Sequence, residues 1–525
     1  MSLSSLLMGG SYVGMTSFFT VAFLLVFLPT CIILYTLMPQ KAKKYFLLAA
    51  SVGFYWLISG TLVVYLFLTT ISIHYFGIWL DRIHRQRDEA VKAAEKPERK
   101  AIKHAYLLRS RWVLLFAAAL HIGTLLTLQY APFFTRNVNS LLGHMGLSLQ
   151  LEIPKYLLPI GISFFTMQAV SYMFDVYRET IKSDENLFRL GLFMSFFPQI
   201  VEGPICRYGQ TAEQLWNVKG ITFSNLTLGI QRILFGMMKK MVVADRLNPL
   251  IETVFSGYKD FQGGVIAIAA VCYTVQLYMD FSGCCDIVLG AARILGYDLI
   301  ENFNSPFEAR SFNDFWRRWH ISMTGWFRDY VYFSLGGSRC APWRHYLNIV
   351  IVFLCSGLWH GADWRYLAWG LACGLCAAFG AMTAKARKKL EKFNPLYRQA
   401  WLKAVCQVTI TDLLFCGTLV FFAAALYNAD PFAIYSSMLQ GWNGLAGSWH
   451  QVQQMLLDCG IDGRLPVVLL FGTFVVLAVE HGGRSVTRWI REQVWPLRWT
   501  LYYAAAAAIL FFAAFGQSAF IYRQY

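Results

Sequence analysis

AVCQVTITDLLFCGTLVFFAAALY, residues 404–427, contains one acidic side chain, Asp412, and no basic one. A helix rises about 1.5 Å per residue, so about 20 such residues cross the hydrocarbon core of a bilayer. Comparable runs cover Phe18 to Met38, Thr61 to Leu80, Trp112 to Tyr130 and Pro466 to Val479, the last short for a span. Allowing about 20 residues each, roughly eleven spanning or re-entrant segments are expected. The chain of 525 residues is 57% hydrophobic and 14% charged, against about 25% charged in an ordinary soluble domain. The reading is an all-α polytopic membrane protein, its helices set around a central funnel or tunnel. One membrane-embedded domain is expected over residues 1–525, in three regions: N-terminal spans and a polar loop over 1–130, a core over 154–380 and further spans over 381–525.

The net charge of +16 does not point to nucleic acid, because its distribution follows the positive-inside pattern of short loops between spans. Lys41, Lys43 and Lys44 follow the first run. The loop from Asp81 to Arg111 holds ten Lys and Arg residues, and further clusters lie at 385–403 and 484–498. All four are expected on the cytoplasmic side, where basic residues are drawn to anionic lipid. The lipid bilayer is therefore the first partner. Ala131 to Pro154 and Asn428 to Asp462 are poor in Lys and Arg and are placed outside. Met1 to Thr16 lacks the basic start of a cleavable signal, so Phe18 to Met38 is expected to remain as a span. Pro97 is expected to break the helical polar loop. Trp442, Trp449 and Trp495 suit an interface.

The twelve cysteines show no spacing to histidine that suits zinc, and the one Cys-x-x-Cys pair, Cys373 and Cys376, lies in an apolar run. Most read as small buried hydrophobes, and no metal is expected. Cys459 stands alone on the presumed outer side. His74 and His121, in plain spans, read as structural.

The core region differs from its flanks. Pro198, Gly203 and Pro204 break one apolar run, and Asp280, Gly283 and Asp286 are expected to interrupt another. Irregular backbone at membrane depth survives only when buried in protein or lining a wet cavity. Two segments here place a histidine among tryptophans: Phe315-Trp-Arg-Arg-Trp-His320 and Gly357-Leu-Trp-His-Gly361. An ionisable group at that depth marks a functional site by default. Ser311 to Tyr332 reads as an amphipathic helix, capped at Ser311 or Asn313 and lying at the interface. His360 follows an apolar run from Tyr346 and is the candidate general base, since a neutral imidazole accepts a proton at neutral pH. Gly357 and Gly361 allow backbone or substrate to approach closely, and Asp363 is near enough to orient the ring or to face a loop. Asp280, expected to pair with an arginine or line a polar path, joins Ser282, Trp316, Arg317, Trp319 and Trp359 as candidate tunnel residues. Asp175, Asp245 and Asp286 are further polar positions. Because the chain has no nucleophile elbow, P-loop or His-Glu-x-x-His, direct transfer is the simpler chemistry.

The runs Tyr273-Thr-Val-Gln-Leu-Tyr-Met-Asp-Phe-Ser-Gly283, Glu301-Asn-Phe-Asn-Ser-Pro306, Phe315–Ser322, Trp326-Phe-Arg-Asp-Tyr330, Leu335-Gly-Gly337 and Gly357–Gly361 together resemble the membrane-bound O-acyltransferase family. So do Phe196–Pro204 and the ending Phe520–Tyr525. The likeness is to its bacterial alginate O-acetyltransferase-like branch. It implies that His360 is the principal catalytic histidine and His320 the second. It implies movement of an acyl group, acetyl first, from a cytoplasmic thioester to a hydroxyl of an extracytoplasmic polysaccharide. The donor implied is acetyl-CoA or the phosphopantetheine of an acyl carrier protein, with no permanently bound cofactor. An esterase-like extracytoplasmic acetyltransferase partner and an acyl carrier protein are the implied partners. The implied location is the bacterial inner membrane. Cys284 and Cys285 stand where relatives usually carry Tyr and Ser, and Arg523 and Gln524 replace a more aromatic tail. D-alanyl transfer to teichoic acid, a secondary transporter or polysaccharide exporter, and a non-catalytic scaffold are the alternatives.

Overall fold

The computed structural model describes residues 18–513, apart from 19, 21, 392–398, 441–449, 452, 455–456, 458–464 and 484. Trp442, Trp449, Cys459, several of the basic positions and the Phe520–Tyr525 ending therefore lie outside the described residues. Among the described residues all regular structure is helical.

Six helical stretches among the described residues are long and apolar enough to cross a bilayer: Gln40–Ala93, Arg99–His144, Gly263–Ile294, Trp364–Met382, Ala400–Leu426 and Pro466–Gly483. Ala22–Leu37 is a shorter apolar helix. The first stretch comprises helices Gln40–Ser59 and Val63–Ala93, separated at Gly60, whose φ of 58° suits a residue without Cβ. The next helix starts at Arg99. The gap holds Pro97, as its missing N–H predicts.

The chain forms two compact units, Met1–Leu226 with Ala291–Ile300, and Thr227–Gly290 with Glu301–Tyr525. In the first, His121 Nε2 lies 3.3 Å from Ser72 Oγ, consistent with a structural role. The helix Leu187–Ser195 ends before Pro198, and Phe196–Cys206 continues as irregular but buried chain. Two of its polar groups are held by neighbouring chain: Phe197 N donates to Ser51 Oγ at 3.1 Å, and Gln199 Nε2 donates to the Phe193 carbonyl at 2.6 Å. Gly161, at φ 74°, approaches so closely that a Cβ there would sit 2.7 Å from the Ile200 carbonyl.

A polar clasp closes the chain after the Ile162–Tyr177 helix of this unit. Asp184 receives two 2.6 Å hydrogen bonds from the Arg189 fork, one from Asn186 N at 2.8 Å and one from the Tyr208 hydroxyl. Burial disfavours its charge, but the arginine and tyrosine outweigh that effect and hold its carboxyl below the usual range.

The second unit corrects one expectation. Gly263–Ile294 is a continuous helix through Asp280, Gly283 and Asp286. The small residues serve close packing instead. A Cβ on Gly236 would meet the Gly283 carbonyl at 2.5 Å, and one on Gly290 would meet the Gly229 carbonyl at 2.7 Å. The charges are matched from the facing chain. After Phe223–Met237 the helix widens into a π segment, Met238–Ala244. Consecutive lysines there reach different carboxylates. Lys240 Nζ lies 2.6 Å from Asp245 and 2.5 Å from Asp280. Lys239 Nζ lies 2.7 Å from Asp286 and also bonds Glu480. Of the two roles expected for Asp280, pairing with an arginine or lining a polar path, the structure shows pairing, but with a lysine, while Arg232 takes Asp286 at 3.0 Å.

Candidate active site

The site begins with a break. Ser311 caps the helix Phe312–Arg318 by accepting from Asp314 N at 3.2 Å, as its side chain predicts. The continuous interfacial helix expected over 311–332 does not form. The chain leaves helical geometry at Trp319, His320 takes the left-handed conformation at φ 46° and ψ 53°, and a new helix runs over Ile321–Trp326. The facing segment 301–306 explains the turn. Ile321 N donates to the Asn302 carbonyl at 2.9 Å, Asn304 N to the Arg318 carbonyl at 3.0 Å, and Ser322 N to Asn302 Oδ1 at 3.1 Å. These bonds outweigh the cost of about 1–2 kcal/mol for a left-handed non-glycine residue.

The tryptophans are core rather than interfacial anchors. Trp316 and Trp319 are 5% and 3% exposed. Trp319 stacks on Phe315 with centroids 5.5 Å apart and lies 5.1 Å from Phe415. Arg317 takes the exposed face of the same short helix, away from this packing.

His360 ends the helix Pro342–His360, whose neighbour is Trp364–Met382. Glycines let the two helices touch: a Cβ on Gly357 would lie 3.1 Å from the Gly370 Cα. A Cβ on Gly361 would lie 2.5 Å from the Tyr366 ring. Protein therefore fills the approaches that these glycines open. Asp363 lies at the N-terminus of that second helix. It caps the second helix through Arg365 N at 2.8 Å and pairs with the Arg365 guanidinium at 2.6 Å.

The two imidazoles are brought to one indole. Trp359 lies 6.2 Å from the His320 ring and 4.9 Å from the His360 ring, centroid to centroid. Phe281 closes on His320 at 4.6 Å, while Trp369 and Phe422 close on His360 at 5.0 and 5.2 Å. His320 is 0% and His360 2% exposed. Neither nitrogen of His320 has a hydrogen-bond partner among the described residues. Buried polar groups are nearly always hydrogen-bonded, so this ring calls for an explanation.

Beside the His320 turn is a cavity of about 290 Å³, lined by Ile321, Asn302, Tyr278 and Ser282 and by the charged Lys239, Asp286 and Glu480. Tyr278 donates to Glu480 at 2.5 Å. Of the candidate residues, His320, His360 and Trp359 meet at the site. Trp316 and Trp319 support it, Ser282 lines the cavity, Asp280 is held in its ion pair, and Arg317 stands apart. The sequence reading missed Phe281, Trp369, Phe422 and the lysine pair. The lysines had a signal: two adjacent cations inside the apolar run Gly236–Ala244, facing a helix with two aspartates.

Comparison with known proteins agrees with this architecture. Residues 162–411 match the model of the MBOAT, membrane-bound O-acyltransferase family. The chain is similar to the probable alginate O-acetylase AlgI of Pseudomonas aeruginosa, 32% identical over 78% of this chain and 73% of that protein. It is 34% identical to the probable alginate O-acetylase AlgI of Azotobacter vinelandii over 66% of this chain, and spans 65% of that relative's length. A peptidoglycan O-acetyltransferase of Helicobacter pylori is 30% identical over 73% of this chain and 74% of its own.

Proposed function

From the premise that this chain belongs to the membrane-bound O-acyltransferase family, we propose that it transfers an acetyl group from a thioester to a hydroxyl of a cell-surface polysaccharide. The observation that carries the reading is the pair of buried imidazoles that both pack against Trp359. His360 takes the acceptor's proton as its oxygen attacks the thioester carbonyl. The C–S bond breaks, an ester forms, and the proton returns to the departing thiolate. His320, with two unsatisfied nitrogens, holds the acceptor or the oxygen that gathers charge. The aromatic wall excludes water, which protects the thioester from hydrolysis.

Acetyl leads over D-alanyl because the relatives described above are named for acetyl transfer. Acetyl-CoA or a carrier protein's phosphopantetheine supplies the donor from the cytoplasm, and an esterase-like outer protein completes delivery to the polymer. The place of action is the bacterial inner membrane. The test is acetyl transfer by membranes carrying His360→Ala at equal protein level. A loss of about 10²-fold or more is expected from removal of a general base. Wild-type transfer by the folded variant would overturn the assignment.

A further inference from the structure

A second cavity of the Thr227–Gly290 and Glu301–Tyr525 unit lies apart from the histidines. It is a groove of about 990 Å³ walled by the 364–382 and 400–426 helices and closed by the start of the 312–318 helix. Its walls are apolar and exposed: Leu375, Phe379, Ile410 and Leu414 are 54%, 62%, 53% and 44% exposed. Its rim is basic. Arg310 makes no hydrogen bond or ion pair among the described residues. Arg387 spends one donor on the Gly380 carbonyl at 2.6 Å and keeps the rest of its guanidinium. Glu391, the acidic residue of the rim, is offset by Lys403 at 2.7 Å.

We propose that this groove binds one anionic diacyl phospholipid, its phosphate on Arg310 and Arg387 and its chains against the wall. Basic pockets between spanning helices on the cytoplasmic side hold anionic lipid headgroups in this way. Lys385 and Lys388, on the same short helix as Arg387, add to the attraction. A guanidinium engages phosphate through its planar fork. A free nucleotide phosphate has the same headgroup chemistry, but nothing in it matches a wall of leucine, phenylalanine and isoleucine. The lipid therefore fits both parts of the groove.

Native mass spectrometry of the full-length protein, exchanged into phosphatidylglycerol or phosphatidylcholine, tests this. The expected result is one retained phosphatidylglycerol per chain, little retained phosphatidylcholine, and retention weaker by on the order of tenfold in Arg310→Ala/Arg387→Ala. Equal retention of the two lipids, or phosphatidylglycerol undiminished in the double variant, overturns the proposal. So does displacement of the lipid by coenzyme A, which would make this a nucleotide site. Should the double variant not fold, Leu375→Trp/Ile410→Trp fills the groove and leaves the arginines. Loss of the adduct there supports the lipid, and full retention refutes it.

Discussion

His320 combines a left-handed backbone, complete burial and two unpartnered ring nitrogens. Each feature is unfavourable alone, and their coincidence is the ground for the acceptor-holding role proposed for this residue. The backbone and the side chain can be separated by substitution. Both His320→Ala and His320→Gly remove the imidazole, but only glycine is at ease at φ 46°. The glycine variant is expected to be the more stable by about 1 kcal/mol, with acetyl transfer equally depressed in both. Thermal melting in detergent and a transfer assay read the two effects. Equal melting temperatures would remove the backbone argument.

Among elements, the approach of the 342–360 and 364–382 helices decides where His360 sits. Gly357→Ala places a methyl against the Gly370 Cα and the Tyr366 carbonyl. Both are backbone atoms that move only with their helix, so overpacking of about 1–3 kcal/mol is expected. Transfer should fall although no catalytic atom is changed. Gly53→Ala, where a Cβ meets nothing, is the control. If the two variants melt and react alike, the close approach does not position the base.

The Asp184 clasp is a second element-scale device, and its pH dependence has a definite sign. The native carboxyl titrates below its ordinary range, so its contribution is complete above the unfolded carboxylate value of about 3.9. It disappears as pH falls through the lower native value. Asp184→Asn is expected to cost about 1.5–3 kcal/mol at pH 7, as for hydrogen bonds to a charged group. The gap between wild type and variant should narrow as the pH drops into the acid range. Melting curves across pH would expose the opposite trend.

For the whole molecule, charge sets orientation. The basic loop between the 63–93 and 99–125 helices is expected in the cytoplasm. Lys96→Cys in intact cells should therefore resist a membrane-impermeant maleimide and react once the membrane is opened. Labelling of intact cells would reverse the topology and, with it, the side from which the thioester enters.

The amino-acid sequence by itself determined the helical, membrane-spanning class, the break at Pro97 and the cap at Ser311, and it singled out His320 and His360 as candidates. These follow from local quantities: apolar run length, missing donors, cap chemistry and the cost of an ionisable group in hydrocarbon. Only the tertiary structure decided that residues 311–332 are broken at His320, because the breaking bonds come from Asn302 and Asn304. It alone matched Asp280 and Asp286 to Lys240 and Lys239, turning an apparent interruption into an unbroken helix. It also set both imidazoles against Trp359. These pairings depend on which backbones come within contact distance, a property of the packed helices that no single stretch of chain carries.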